Sequence, residues 1–163
     1  MCWSMKWIMS LFKSKEEPVK DYPVFMPALR EHLKREEGEK FKPYRCTSGK
    51  LTIGVGRNLQ DVGISQDESD YLLFNDIQKV LIQVERMFPE YEYWKVGRIV
   101  AVCSMLFQMG VGGFLGFKST IRYIKQDKWE EAANQAMQSR WATQTPNRAR
   151  RVCEMLRTGE LVK

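Results

Sequence analysis

Histidine and closely spaced cysteines are scarce in this 163-residue sequence. It has one histidine, His32, and four cysteines, none of which form a Cys-x-x-Cys pair. Because protein zinc sites are usually built from clustered cysteine and histidine, we predict no metal site and no cofactor. Zinc-dependent amidases are excluded on the same ground. A Cys-His peptidase of the usual kind needs a histidine well after its cysteine, whereas His32 precedes Cys46.

The chain also lacks internal repeats and low-complexity tracts. Its hydrophobic fraction of 44% and charged fraction of 28% are typical of a globular protein. Cys103 and Cys153 lie in apolar runs with helical spacing, where free cysteine packs as a small hydrophobic side chain. We therefore expect a core without structural disulfides, which is typical of a protein made in the cytosol.

The N-terminal apolar segment, residues 1–12, is too short to span a bilayer, which needs about 20 residues. Lys6 interrupts it and no small-residue cleavage site follows, so we predict no cleavable signal peptide. Trp3 and Trp7 would share one face of a helix, which could dock on the body, fray, or make weak contact with a membrane surface. We assign residues 1–24 to an arm and linker and residues 25–163 to one domain.

A uniformly basic surface is missing as well. The net charge is +6, but it divides into +4 for residues 1–50, −3 for residues 51–114 and +5 for residues 115–163. The aromatic residues are spread through predicted helices instead of being concentrated on one basic face. A nucleic-acid partner is therefore disfavoured, although an anionic partner of another kind is expected. We expect a monomer.

The pattern in the first part of the domain predicts a helix over about 26–37 and then a β-hairpin. The runs 41–45 and 51–55 are apolar or β-branched and flank a Thr-Ser-Gly-Lys turn. Gly54 and Gly56 in the second run suggest close backbone approach by a neighbouring strand or a ligand.

The remainder of the chain is predicted to be helical. A capping box at 65–68 opens a long helix that ends near Phe88, and an apolar helix, Val96 to Met109, is expected at the centre of a larger lobe. Helix caps are predicted at 127–130 and at Thr145-Pro146, with Gly159 closing the last helix. The stripe expected to be buried along the long helix comprises Leu73, Ile77, Val80 and Val84. The fold class is α+β, mostly α: a small hairpin lobe and a larger helical lobe, joined by a long helix, with a cleft between them.

Glu37 ends the first helix, directly before the hairpin. A carboxylic acid at such a place could protonate the leaving oxygen in glycoside hydrolysis, with a second group supporting attack from the other face of the sugar. A hairpin turn about Gly49 would place Cys46 opposite Thr52, on one face. A turn between Ser48 and Gly49 would break that pairing, and the sequence leaves both open.

Three stretches carry a family resemblance: Arg35–Gly38, Tyr44–Gly49 and Leu51–Gly56. They resemble the active-site hairpin of the phage lysozymes of glycoside hydrolase family 24, whose spacing is Glu, eight residues, Asp or Cys, five residues, Thr. Glu37, Cys46 and Thr52 match that spacing. Motifs typical of the T-even branch follow in order at Phe107–Gly110, Gly116-Phe117, Ser139–Trp141, Gln144–Arg148 and Arg157–Gly159. The similarity covers roughly residues 27–162.

The resemblance implies a muramidase that cleaves peptidoglycan between N-acetylmuramic acid and N-acetylglucosamine during host lysis. Such an enzyme is made in the host cytoplasm and acts on the cell wall. Glu37 is then the general acid, Thr52 holds water or substrate, and Arg148 pairs with Glu37. The residues implied to bind substrate are Tyr44, Gly56, Phe107, Gln108 and Arg148. The alternative is a weakened or inactive peptidoglycan-binding protein with the same fold.

Cys46 stands where most relatives have Asp. An ordinary thiol, with a pKa of about 8.5, is mainly protonated at pH 7, and a neighbouring carboxylate would raise its pKa further. Cys46 could be a thiolate base that orients water for inversion, or a nucleophile that forms a covalent intermediate with retention. It could also mark a site of reduced activity. Because the family pattern tolerates Cys here, we expect an active enzyme.

Overall fold

A computed structural model describes residues 23–162 and divides into two compact units between Ile64 and Ser65. It is mostly helical with one small sheet, which confirms the predicted α+β class. The predicted arm, residues 1–12, lies outside the described residues, and the boundary at residue 24 stays a prediction. In chain order the elements are α1 (Met26–Glu37), β1 (Lys40–Arg45), β2 (Leu51–Gly54), β3 (Arg57–Asn58), α2 (Gln66–Met87), a 3-10 helix (Tyr91–Tyr93), α3 (Val96–Leu115), α4 (Lys118–Ile124), α5 (Trp129–Met137), α6 (Arg140–Gln144) and α7 (Pro146–Thr158).

The first unit consists of α1 and an antiparallel sheet in the order β1-β2-β3. The helix ends at Gly38, which has a φ of 72° and donates its N–H to the Lys34 carbonyl at 3.0 Å. The pairing register of β1 against β2 shifts between Lys40 and Tyr44. This stretch contains Pro43. Proline has no N–H to donate to the ladder, so a bulge is expected there.

The first hairpin turns about Ser48. The Cys46 N–H donates to the Lys50 carbonyl at 3.0 Å, the Gly49 N–H donates to the Cys46 carbonyl at 2.8 Å, and Tyr44 pairs with Thr52. Neither turn considered from the sequence is therefore right, and Cys46 does not lie opposite Thr52. The physical reason is Gly49, whose φ of 78° closes a three-residue loop of the bulged kind.

Gly54 and Gly56 serve the second turn of the sheet. Both have positive φ, 66° and 86°, and a side chain built at either would meet nothing within 4 Å. Close approach by a neighbouring strand was therefore the wrong explanation. These glycines provide the left-handed backbone between the paired residues Ile53 and Arg57.

The capping box at the start of α2 is confirmed, since the Ser65 hydroxyl accepts from the Glu68 N–H and the Glu68 carboxylate accepts from the Ser65 N–H. The predicted buried stripe holds only in part. Val84 is fully buried, but Leu73 is 46% exposed and Ile77 is also exposed. The cause is that the C-terminal part of α2, not its whole length, contacts the core cluster.

The core of the second unit forms around α3, as predicted for the apolar helix starting at Val96. This helix packs against α2 and α7, while α5 packs against α4 and α7. By length and composition alone α3 could cross a membrane, but Ala101, Val102 and Met105 lie in the core. Gly110, with φ 68° and ψ 172°, kinks α3.

At two helices the predicted N-cap residue does not cap the helix in the structure. Asp127 does not cap α5, because its φ of 55° places it in the turn before that helix and Lys128 occupies the cap position. Pro146 begins α7 as predicted, but the Thr145 hydroxyl donates to the Trp141 carbonyl at 3.0 Å and does not cap the helix. Gly159, at φ 75°, closes α7 as expected.

Candidate active site

Glu37 is the last residue of α1 and its side chain is exposed. Within residues 23–64, no side chain forms a hydrogen bond or ion pair with its carboxylate, because the neighbouring cations have other partners. Lys34 pairs with Glu39 at 2.9 Å and Arg35 pairs with Glu36 at 3.1 Å. The Glu37 carboxyl group is therefore accessible to a ligand.

Thr52 lies in the central strand β2, where it pairs with Tyr44 on one side and with Asn58 on the other. It is 3% exposed, and its hydroxyl donates to the Lys50 carbonyl at 3.0 Å. Strands on both sides and this hydrogen bond fix the Thr52 side chain, as a residue that positions a reactant requires.

Cys46 and Thr52 share one face of the first hairpin. Side chains alternate between the two faces with a period of two, and Cys46 follows Tyr44, the partner of Thr52, by two residues. The two side chains are thus diagonal neighbours across the hairpin. Cys46 and Thr52 therefore lie on the same face, as predicted, but they are not directly paired.

The Cys46 thiol is more acidic than the sequence suggests. Its Sγ lies 3.0 Å from the Ser48 Oγ. Hydrogen bonds from Ser48, then from the Thr52 hydroxyl and the turn backbone, lower the pKa of Cys46 to about 7. These donors stabilise the thiolate and outweigh the small cost of partial burial. A larger fraction of the molecules therefore carries a thiolate at pH 7 than an ordinary thiol would give, whereas a mainly protonated thiol was expected.

The charged residues around this hairpin are mostly paired. Arg45 donates to the Gly49 carbonyl at 2.8 Å and so braces the turn. Lys50 pairs with Asp61 at 3.1 Å, and Asp61 also accepts from the Asn58 amide at 2.9 Å. The turn that holds Cys46 is therefore fixed at both ends by hydrogen bonds.

Three of the residues predicted to bind substrate lie in the second unit. Phe107 on α3 is 47% exposed, and the Gln108 side-chain oxygen accepts from the Trp141 indole N–H at 2.9 Å. Arg148, on α7, donates to the Ser104 carbonyl at 3.3 Å and to its hydroxyl at 3.1 Å. The pairing of Arg148 with Glu37, and the cleft itself, stay predictions.

Three residues that contact predicted site residues were not identified as site residues from the sequence: Ser48, Ser104 and Trp141. Trp141 belongs to the Ser139–Trp141 motif, so its family context was a usable signal. The sequence indicates a turn at Ser48 but not its contact with Cys46, which depends on the bulged loop at Gly49. No pattern in the sequence points to Ser104.

Comparisons with known proteins identify the family of this chain. Residues 34–156, which include Glu37, Cys46 and Thr52, match the family described as phage lysozyme. The chain is 32% identical to the probable T4-type lysozyme 1 of Dictyostelium discoideum, over 82% of this chain and 96% of that protein. It is 31% identical to the endolysin of Salmonella phage P22, over 63% of this chain and 73% of the endolysin. The chain belongs to the phage lysozyme family and is a glycosidase that degrades peptidoglycan.

Proposed function

We propose that the protein is a muramidase that hydrolyses the β-1,4 bond between N-acetylmuramic acid and N-acetylglucosamine. The observation that carries this proposal is the placement of Glu37 at the end of α1, with Cys46 and Thr52 on one face of the hairpin that follows. All three lie within the span that matches the family. Retention of the acid and of the threonine favours an active enzyme over a binding protein that has lost turnover.

In the proposed reaction, Glu37 gives its proton to the leaving glycosidic oxygen. Cys46 supports attack on the anomeric carbon from the opposite face of the sugar. As a base, the thiolate takes a proton from water while that water forms the new bond, which inverts the configuration. As a nucleophile, its sulfur bonds to the anomeric carbon, and water later breaks that bond with net retention. Thr52 holds the water or the sugar in either course.

The predicted substrate-binding residues offer suitable contacts. Phe107 exposes an aromatic ring, and sugars commonly bind against apolar surfaces that carry a few polar groups. Because the Gln108 oxygen accepts from Trp141, the amide N–H groups of Gln108 can donate to a sugar. Arg148 supplies a half-buried cation.

The sheet unit offers two further contacts. Gly56 exposes its backbone, with no side chain, to open space, and Tyr44 lies on the same face as Cys46 and Thr52.

A digest of purified peptidoglycan tests both the bond and the chemical course. We expect new reducing ends on N-acetylmuramic acid, identified by mass spectrometry after borohydride reduction. Reducing ends on N-acetylglucosamine would overturn the bond specificity, and binding to peptidoglycan without new reducing ends would establish the inactive alternative. The anomer released from a defined glycan, followed by NMR, separates a thiolate base from a nucleophile.

The biological setting that we propose is host lysis, with synthesis in the cytoplasm and action on the cell wall. Support comes from the relatives named endolysin, among them those of Salmonella phage P22 and of Acyrthosiphon pisum secondary endosymbiont phage 1. Protein expressed in the bacterial cytoplasm is expected to lyse cells only after the inner membrane is permeabilised. Lysis without permeabilisation would contradict confinement to the cytoplasm.

A further inference from the structure

We propose that Ser48 is a positioning residue for the reaction: its hydroxyl donates a hydrogen bond to the Cys46 sulfur and holds it as a thiolate beside Thr52. This inference rests on the proposed function, in which Cys46 is the base or the nucleophile. Ser48 acts through Cys46 and need not touch the sugar. The supporting evidence is the geometry of the three-residue loop and the partners of the two hydroxyl groups nearest the sulfur.

The loop brings Ser48 back over the cysteine that precedes it by two residues. Its Oγ lies 3.0 Å from the Cys46 Sγ, well within the range for a hydrogen bond to sulfur. The positive φ of Gly49 and the Cys46–Lys50 backbone hydrogen bond set this loop length. Arg45 braces it through the Gly49 carbonyl. A hydroxyl at the loop centre is therefore held against the sulfur by the backbone.

The hydroxyl groups of Ser48 and Thr52 differ in whether they have another hydrogen-bond acceptor. The Thr52 hydroxyl already donates to the Lys50 carbonyl at 3.0 Å. Among the residues that the structure describes, the Ser48 hydroxyl has Cys46 as its side-chain partner and no second acceptor. One hydroxyl carries one proton, so Ser48 is the group that can give it fully to the thiolate. The Thr52 hydroxyl, whose proton is shared with the Lys50 carbonyl, contributes less to the acidity of Cys46.

The two charged residues that flank the turn do not replace this hydrogen bond. Arg45 is bonded to a carbonyl, and Lys50, which lies opposite Cys46, is paired with Asp61. The Tyr44 ring, on the same face, lies 4.1 Å from the Lys40 ammonium. Consistent with this, the Ser48 hydroxyl is the largest cause of the lowered pKa of Cys46.

The test measures the acidity of Cys46 directly, in a folded chain in which Cys2→Ser removes the cysteine outside the described residues. The rate of alkylation by iodoacetamide is followed from pH 5 to pH 9. Burial raises the pKa values of Cys103 and Cys153 to about 11, so these thiols stay largely protonated in that range. Ser48→Ala is expected to raise the alkylation pKa of Cys46 by about one unit, because a donor to the charged form is lost.

Two further variants serve as matched controls. Ser48→Thr keeps a hydroxyl and should restore the alkylation pKa to about that of the parent chain. Thr47→Ala removes a hydroxyl from the same loop, one residue away, and should leave the alkylation pKa unchanged. An unchanged alkylation pKa in Ser48→Ala, or an equal rise in Thr47→Ala, would overturn the inference.

Activity on peptidoglycan separates this inference from the proposed function. In Ser48→Ala the acid limb of the pH–rate profile for kcat/KM should move upward together with the alkylation pKa. A raised alkylation pKa with an unmoved pH–rate profile would establish the hydrogen bond but overturn the catalytic role of Cys46. A merely structural role for Ser48 would lower activity at every pH without moving either profile, which would also overturn the inference.

Discussion

The two units differ in what fixes their side chains. Among residues 23–64, only Thr52 is buried, whereas every fully buried hydrophobic side chain of the described chain lies in residues 65–162. In the first unit, hydrogen bonds hold Cys46 and Thr52 in place. The second unit packs a continuous apolar cluster around α3.

The proposed reacting groups and the stability of the fold therefore depend on different interactions. Packed cores respond steeply to lost volume, while exposed turns respond mainly through the groups they hold. Substitutions in the sheet unit should therefore change turnover or its pH dependence with little effect on the free energy of unfolding. Substitutions in the helical core should do the reverse. Four experiments test the contrast, starting with the largest expected effect.

The largest effect is expected for a core phenylalanine. Phe114 is fully buried, with ring centroids of Phe88 and Phe117 each 6.4 Å away. Phe114→Ala should lower the free energy of unfolding by about 3–5 kcal/mol, because burial is lost and a cavity remains. Urea denaturation followed by circular dichroism measures this. Phe41→Ala in β1, where the ring is 84% exposed, is the matched control and should change it little. An equal loss of unfolding free energy in the two variants would contradict the difference between the units.

The next effect is on turnover alone. Glu37→Gln keeps the size of the side chain but removes the transferable proton, so cell-wall lysis should fall by at least about a hundredfold. The free energy of unfolding should stay within error, since Glu37 is exposed. Glu36→Gln, the exposed neighbouring carboxylate, is the control and should retain activity. A folded Glu37→Gln protein with near-normal lysis would refute the acid assignment.

A smaller effect is expected on pH dependence. Since the pKa of Cys46 is lowered to about 7, thiolate-dependent activity should rise as pH rises through 7 and be lost below it. Cys46→Asp should move this acid limb downward, because an aspartate has a pKa of about 4 and stays ionised above it. Cys46→Ser should lose most activity, because its hydroxyl is far less acidic. Parent-like activity in Cys46→Ala would make the thiol a bystander.

The smallest effect is expected outside the described residues. Deletion of residues 1–22 should leave activity on purified peptidoglycan largely unchanged, because the family match begins at residue 34. If the arm contacts membranes, the full chain should sediment with anionic liposomes and the shortened chain should not. Equal sedimentation of the two chains would exclude the membrane contact.

Sequence patterns predicted elements well where one local signal dominates. The capping box at Ser65 and the glycine at 159 specify the helix ends by themselves, and α1 follows its predicted bounds. The hairpin register was missed because one left-handed residue, Gly49, changes the pairing of every residue after it. The exposure of Leu73 was missed because periodicity shows which face is apolar, not which neighbour covers it. The acidity of Cys46 depends on that same register.

The hydrogen bonds that favour the Cys46 thiolate also make this side chain more reactive toward oxidants. Peroxides react with thiolates, not with protonated thiols, and reach them more readily when the sulfur is accessible. Cys46 is half-buried and partly ionised at neutral pH, whereas burial keeps Cys153 protonated. Of these two sulfurs, Cys46 is the one that oxidation to sulfenic acid would reach first. If Cys46 has the role proposed for it, this oxidation would stop turnover, and activity would depend on the reducing power of the surroundings. An aspartate at this position would not have that sensitivity.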